Sequence, residues 1–154
     1  MSERLRYSGW FEGITHILPV RVYYEDTDIS GIVYHANYLR YFERGRSEFL
    51  RLAGIHHMVM LANDEPIAWT IRKIDVDYAK AARLDDELEV HTRFVAMSGA
   101  RLSAAQVVKR AGAGLVSAKV EAAIITMQGK PRRIPEDVRA KMQPYLAADG
   151  APLA

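Results

Sequence analysis

The sequence predicts an α+β fold in which a five-stranded antiparallel sheet wraps around one long central helix. Three observations carry the prediction. One long segment, residues 37–54, has helical periodicity. Four later segments have the pattern of strands, and the last three of these are joined by short connections that carry glycine. Five strands bury one apolar face and a mostly enclosed helix only if the sheet curls around that helix.

Taken in order, residues 1–18 lack clear periodicity and are expected to form a variable N-terminal arm. "PVRVYYE" (19–25) is β-branched and aromatic, with Pro19 placed as a strand start would have it. "NYLRYFERGRSEFLRLAG" (37–54) sets Leu39, Phe42, Arg46, Phe49, Leu50 and Ala53 on one side at helical spacing. Asn37 is a candidate N-cap and Gly54 a candidate stop. Gly45 lies inside this helix, where glycine costs about 1 kcal/mol relative to alanine, so close approach of another backbone is expected there. "PIAWTIRKIDVDY" (66–78) alternates as a strand does, with Ile67, Trp69, Ile71 and Ile74 as candidate core residues. Strands are also expected over 86–97, 101–111 and 114–128, joined as antiparallel hairpins through "SGA" and "GAG". A turn and a short helix opening near Pro135 or Glu136 follow. This order of elements describes a hotdog fold, a single domain over 19–147 with a C-terminal tail over 148–154. Its sheet leaves an edge strand, so a homo-oligomer is expected.

The bulk composition narrows the function. The chain has 154 residues, 49% hydrophobic and 26% charged, which suits one globular domain rather than disorder. A net charge of +2 is too slight to point to nucleic acid. The absence of cysteine excludes disulfides, thiolate zinc sites and a cysteine nucleophile. Neither a secretory leader nor a membrane span is legible, and a cytoplasmic location is expected.

The segment "DTDISG" (26–31) carries the chemistry of interest. Asp26, Asp28 and Ser30 alternate before Gly31 as the ligands of a calcium loop would. Such a loop follows a helix and closes with a glutamate at its twelfth position, but this one follows a strand pattern and has Asn37 there. No metal and no cofactor are therefore expected. Two readings remain open from the residues alone. Asp, Ser and Gly between a strand and a helix are ordinary turn residues, and Asp28 can cap backbone amides. Alternatively, "GIVYHANY" sets His35 and Asn37 at the helix start, one short loop from Asp28. Free N–H groups there suit a developing oxyanion, and a nearby carboxylate suits nucleophilic or general-base attack on an acyl group.

"VYYEDTDISGIVYHANYLRYFERGRSEFLR" (22–51) closely resembles the signature of hotdog acyl-CoA thioesterases of the 4-hydroxybenzoyl-CoA thioesterase type. Within that group, "YYEDTD", "VYHANY", "FERGR" and "IRKIDVDYAKAARLDDELEV" (71–90) resemble the thioesterases associated with the Tol–Pal system. The similarity runs from about Pro19 to Met142. It implies an acyl-CoA substrate, with acyl carrier protein as another possible carrier, and a homodimer or homotetramer. Asp28 matches the catalytic carboxylate. His35 matches the residue whose backbone N–H polarises the thioester carbonyl, and Tyr34 and Asn37 line the same helix start. Glu43 and Arg46 match the "FERxR" pattern, Glu43 as a substrate-side residue and Arg46 as a structural one, an ion pair anchoring the helix or dimer. Tyr78 fits a pocket wall.

One departure concerns coenzyme A. Relatives often carry a basic residue just after the methionine of the turn that here contains Ser98. That leaves Arg101, Lys130, Arg132 and Arg133 as candidates for phosphate contact, with a solvated basic surface as the competing reading. His56 and His57 have no carboxylate at ligand spacing, Asp75 and Asp77 alternate on a strand, and Asp85, Asp86 and Glu87 read as a solvated turn. Trp69 and Phe94 read as core or pocket wall. The leading expectation is thioester hydrolysis. A non-catalytic hotdog protein that binds an acyl carrier or an envelope-associated partner is the alternative, and a hotdog dehydratase using His35 as base fits the Asp28 block less well.

Overall fold

The computed structural model describes residues 7–146 and 153. Seven strands form one sheet: β1 (Trp10–Glu12), β2 (Thr15–Arg21), β3 (Ile67–Tyr78), β4 (Glu87–Met97), β5 (Arg101–Arg110), β6 (Ala113–Thr126) and β7 (Pro131–Arg132). Their order is β1-β2-β4-β5-β6-β3, with β7 paired to β6, and every pairing is antiparallel. Helix α1 (Asn37–Leu52) packs on the sheet, followed by the short α2 (His57–Leu61) and the C-terminal α3 (Glu136–Met142). The five long strands around one helix are those expected, and β1 and β7 are short additions. The hairpins β4–β5 and β5–β6 also agree, whereas β3 crosses over to pair with β6 and forms an edge.

The arm expected over 1–18 is in part a hairpin, because β1 and most of β2 fall within it. Thr15 through Leu18 are all buried. A strand covered on both faces loses the alternation that marks a half-exposed one, so its pattern was unreadable. Pro19 lies within β2 rather than at its head. Pairing with β1 ends at Ile17, so the missing N–H of Pro19 falls on an unpaired edge. "YYE" is not strand: Tyr24–Asp26 form a 3-10 turn. The tail expected over 148–154 lies outside the described residues except for residue 153.

Helix α1 is seated by one close approach. A Cβ on Gly45 would lie 2.8 Å from Thr92 Oγ1, 2.8 Å from Val90 Cγ1 and 3.1 Å from Gln106 Nε2. Beside it, the buried Gln106 amide donates to the Phe42 carbonyl (2.9 Å) and to Thr92 Oγ1 (2.8 Å). Its oxygen accepts from Arg46 Nη1 at 3.0 Å. Arg46 thus anchors the helix through a neutral amide rather than the expected ion pair, and burial pulls its pKa below the usual arginine value. Phe42, Phe49 and Leu50 are buried as expected, but Leu39 is 38% exposed and Tyr38 and Tyr41 take the inner face instead. Asn37 is the first helical residue, not the cap, which is Ala36. On β3 the register shifts between Ile71 and Lys73. The shift reverses which residues face inward, so Ile74 and Val76 join Ile67 and Trp69 against the core while Ile71 is exposed.

Gly45→Ala tests this seating. Alanine gains about 1 kcal/mol in helix propensity, but forcing a methyl into a filled space costs about 1–3 kcal/mol. With two contacts at 2.8 Å, the steric cost prevails and thermal unfolding should show a lower midpoint. An unchanged or higher midpoint would mean that the sheet yields freely here.

Candidate active site

The loop between β2 and α1 is a closed structure with a narrow neck. Thr27 bridges Val33, and Tyr34 N–H donates to the Asp26 carbonyl at 2.9 Å. Beyond the neck, Asp28 N–H donates to Ile32 (3.1 Å) and Gly31 N–H to Asp28 (3.0 Å). Gly31 has φ +80°, a left-handed conformation that glycine adopts without strain. The tip therefore holds Asp28 exposed to solvent. The neighbouring segment steadies the loop from outside. Val33 N–H donates to the Ala82 carbonyl at 2.9 Å, and Ala82 N–H donates to the buried Tyr38 hydroxyl at 2.9 Å.

The carboxylate of Asp28 is directed by Ser30. Its Oδ1 accepts from the Ser30 amide (2.8 Å) and from the Ser30 hydroxyl. These two bonds, the hydroxyl foremost, hold the pKa below the ordinary aspartate value, and nearby His35 adds a smaller push in the same direction. Asp28 is thus ionised through the neutral range and well into acid.

His35 stands at the mouth of α1, exposed, between two aromatic rings. Its ring lies edge-on to Tyr34 at 4.5 Å and to Tyr78 at 6.2 Å, and the Tyr78 hydroxyl donates to its carbonyl at 3.0 Å. Asn37 N–H donates to the Tyr34 carbonyl at 2.8 Å. A trans peptide puts its N–H opposite its C=O, so the His35 amide points away from the first helical turn. Among the described residues it donates to no acceptor. The loop thus presents an ionised carboxylate and a free backbone donor on its two arms.

Of the other residues singled out in the sequence, Tyr34 and Tyr78 join this group. Asn37 does not line it: its side chain is buried and donates from Nδ2 to the Asp26 carbonyl at 2.8 Å. Glu43 lies farther along α1, about 9 Å from Asn37 at 1.5 Å per residue. It accepts from Ser47 Oγ at 2.6 Å, with His57 Nε2 3.4 Å beyond. The basic candidates cluster elsewhere. Arg101 pairs with Glu121 at 2.9 Å, a carboxylate it shares with Arg72, and Arg132 pairs with Glu65 at 2.6 Å. Arg133 packs over Gly99, and Lys130 sits in the β6–β7 turn. These residues neighbour the Ile67 end of β3, where Ile67 pairs with Thr126, whereas Tyr78 is at the other end. The separation along the strand is on the order of 30 Å. One chain therefore does not bring them to Asp28.

The oxygens that resembled calcium ligands do not converge. Asp26 turns its carboxylate to Tyr23 N–H at 2.8 Å, away from the Asp28–Ser30 pair. Among the described residues, no three histidine or carboxylate side chains gather as metal ligands. Two surface grooves of about 510 and 680 Å³ lie along β2 and beside Tyr23 and Tyr24, and neither is lined by Asp28 or His35. The supporting roles of Tyr38, Ala82 and Gln106 went unread in the sequence, since nothing local distinguishes a tyrosine or glutamine that bonds across the fold.

The curled antiparallel sheet seated on one helix is a hotdog thioesterase fold. A family model described as "Thioesterase-like superfamily" matches residues 22–142, and the chain belongs to that family. It is 38% identical over 128 residues to an acyl-CoA thioester hydrolase, YbgC, of Escherichia coli, covering 81% of this chain and 93% of that protein. It is 40% identical over 123 residues to the acyl-CoA thioesterase YbgC of Haemophilus influenzae, covering 79% and 90%. Among solved structures, a probable thioesterase from Bartonella henselae superposes with a TM-score of 0.77 at 41% identity, covering 79% of this chain and 99% of that one.

Ser30 sets the expected pH behaviour. Activity that needs ionised Asp28 falls as pH drops through the depressed pKa. Ser30→Ala removes the largest cause of the depression while leaving the amide bond, so the acid limb of kcat/KM should move to higher pH. An acid limb unmoved in this variant would show that Asp28 does not govern it.

Proposed function

We propose that the protein is an acyl-CoA thioesterase, hydrolysing acyl-CoA to a free acid and coenzyme A. The observation that carries this reading is the pairing of an ionised, serine-directed Asp28 with the unpartnered His35 amide on one cross-tied loop. The relatives named as acyl-CoA thioesterases supply the substrate class.

In this reading the thioester carbonyl oxygen faces the His35 amide, and the imidazole and Tyr78 flank the acyl group. Asp28 then acts in one of two ways. As nucleophile it bonds to the carbonyl carbon, the coenzyme A thiolate leaves, and water cleaves the resulting anhydride. As general base it takes a proton from water, the oxygen adds to the carbon, and the departing thiolate is protonated. The oxyanion passes through the His35 amide in both, and loss of one such donor raises a barrier by about 2.7–4 kcal/mol.

The open site and the distant basic residues support a homo-oligomer. β3 is an edge strand of twelve residues whose outer side pairs with no other strand among the described residues. A second copy joined antiparallel along it brings its own Ile67 end beside Tyr78 of the first. Lys130 and Arg133, which form no ion pair among the described residues, are then better placed for coenzyme A phosphates than Arg101 and Arg132, whose charges are already paired.

Asp28→Asn should keep the fold and lose about 10²- to 10⁴-fold in thioester hydrolysis, read by thiol release across acyl-CoAs of graded length. Near-normal turnover would refute the assignment. A wild-type kcat/KM far below about 10⁴ M⁻¹s⁻¹ on every thioester would favour a binding protein. In single-turnover reaction in oxygen-18 water, label in the Asp28 carboxylate identifies the anhydride path, with water opening the anhydride at the Asp28 carbonyl, whereas general-base attack leaves the label in the product acid alone.

A further inference from the structure

Asn37 holds a place in this loop that a substrate-contacting residue would not. It is 9% exposed, and both its backbone and its side chain are engaged. The side-chain Nδ2 donates to the Asp26 carbonyl at 2.8 Å, and the backbone N–H donates to the Tyr34 carbonyl at 2.8 Å. The first bond fixes the outgoing arm two residues before Asp28. The second fixes the peptide whose N–H belongs to His35. A single residue at the first position of α1 therefore sets the outgoing arm relative to the returning one, and both relative to the helix.

The surroundings of Asp26 support the same function. Its carbonyl accepts from both Tyr34 N–H and Asn37 Nδ2, and its carboxylate accepts from Tyr23 N–H. The buried Tyr41 hydroxyl sits against that carboxylate, outside good hydrogen-bond geometry. Burial first, and then the neighbouring Asp26, push its pKa upward. Asp26 has no cationic partner among the described salt bridges. A buried carboxylate whose one hydrogen bond among the described residues comes from the Tyr23 amide is a costly arrangement. Here it lies at the junction of the two arms.

We infer that Asn37 is a positioning residue for thioester hydrolysis. It fixes the Asp28 carboxylate relative to the His35 amide and touches neither substrate nor reacting atoms. This rests on the proposed role of Asp28. A donor and a base assist one carbonyl only at a defined separation, and misplacement by about 1 Å can cost 10²-fold in rate. Asn37→Ala cuts the side-chain tie and leaves the backbone bond in place. The Asp28 arm then loses its side-chain tie to the helix and keeps only its bonds to the returning arm, while the His35 peptide keeps its orientation.

The test is a double-mutant cycle with Asp28→Asn, using purified full-length chain and a single acyl-CoA. Asn37→Ala should lower kcat by about 10- to 100-fold with KM within twofold and with the folded circular-dichroism spectrum retained. In the Asp28→Asn background the same substitution should cost almost nothing, because the residue acts through Asp28. A general loss of active protein would instead reduce both backgrounds equally. Equal losses, or a rise in KM with kcat unchanged, would overturn the inference, the latter by making Asn37 a substrate contact. Should Asn37→Ala fail to fold, Asn37→Ser, which keeps a short donor, takes its place under the same criteria. If Asp28→Asn alone retains turnover, it is the assignment of Asp28 that fails. If Asp28→Asn is inactive and Asn37→Ala retains full kcat, the positioning inference alone is wrong.

Discussion

The contact of Gly45 with the floor of β4 and β5 is the constraint on which the rest of the molecule depends. A sheet curls around a helix only as tightly as the helix surface allows, and one residue without a side chain lets Val90 and Thr92 come within contact of the helix backbone. The Gln106 amide converts that proximity into a fixed register by bonding to the helix carbonyl at Phe42 and to the Arg46 side chain. Apolar packing alone is tolerant of sliding. Buried hydrogen bonds are not, since displacement leaves each partner unsatisfied in a medium without water. Helix α1 is thereby held in both rotation and height, and everything that hangs from its first turn inherits that precision.

What hangs there is a loop whose internal bonds all serve to bring two groups to the surface in fixed relation. The proposed chemistry, with Asp28 as the carboxylate and the His35 amide as the oxyanion donor, asks for opposite things. A carboxylate that attacks or activates water must be ionised and accessible, whereas an oxyanion donor must be unsatisfied and rigid. Exposure of Asp28 meets the first demand, and the Ser30 bonds keep the charge on it at low pH. Those same bonds weaken the carboxylate as a base, which favours orientation over basicity as its main asset. The second demand is met by the Asn37–Tyr34 bond, which turns the His35 N–H away from the helix that would otherwise lie behind it. Tyr78, reaching from the end of β3 to the His35 carbonyl, connects the site to the edge of the sheet.

Much of this was legible in the sequence because it depends on local pattern. The hairpins of β4 to β6 alternate visibly, and Gly45 in a helical stretch announced a close approach. The parts that were not legible depend on tertiary surroundings. β2 is covered on both faces, so "THIL" reads as no element in particular. Leu39 and Tyr38 are neighbours on the helix, and only the position of the sheet decides that the tyrosine goes inside, where its hydroxyl receives the Ala82 amide. Asn37 was placed at the correct end of the helix but on the wrong side of it. A polar residue at a helix start can face ligand, solvent or the adjoining loop, and its spacing is the same in each case. Arg46 was similarly recognised as structural, while its partner, an uncharged glutamine sixty residues away, had no signal by which to be found.

The separation of Asp28 from the basic residues follows from the same architecture. β3 is long, lies at the edge, and carries the site at its Tyr78 end and the basic cluster near its Ile67 end. A ligand with a reactive thioester and distant phosphates cannot use both ends of one strand unless it spans most of the sheet. Antiparallel pairing of two such edges exchanges the ends, so each site would meet the other chain's basic surface at short range. In that arrangement the twelve-residue edge would both join two copies and bring their complementary halves together. The exposure of Asp28, Tyr34 and Tyr78 in a single chain would then belong to a site formed from two halves, each anchored by its own helix.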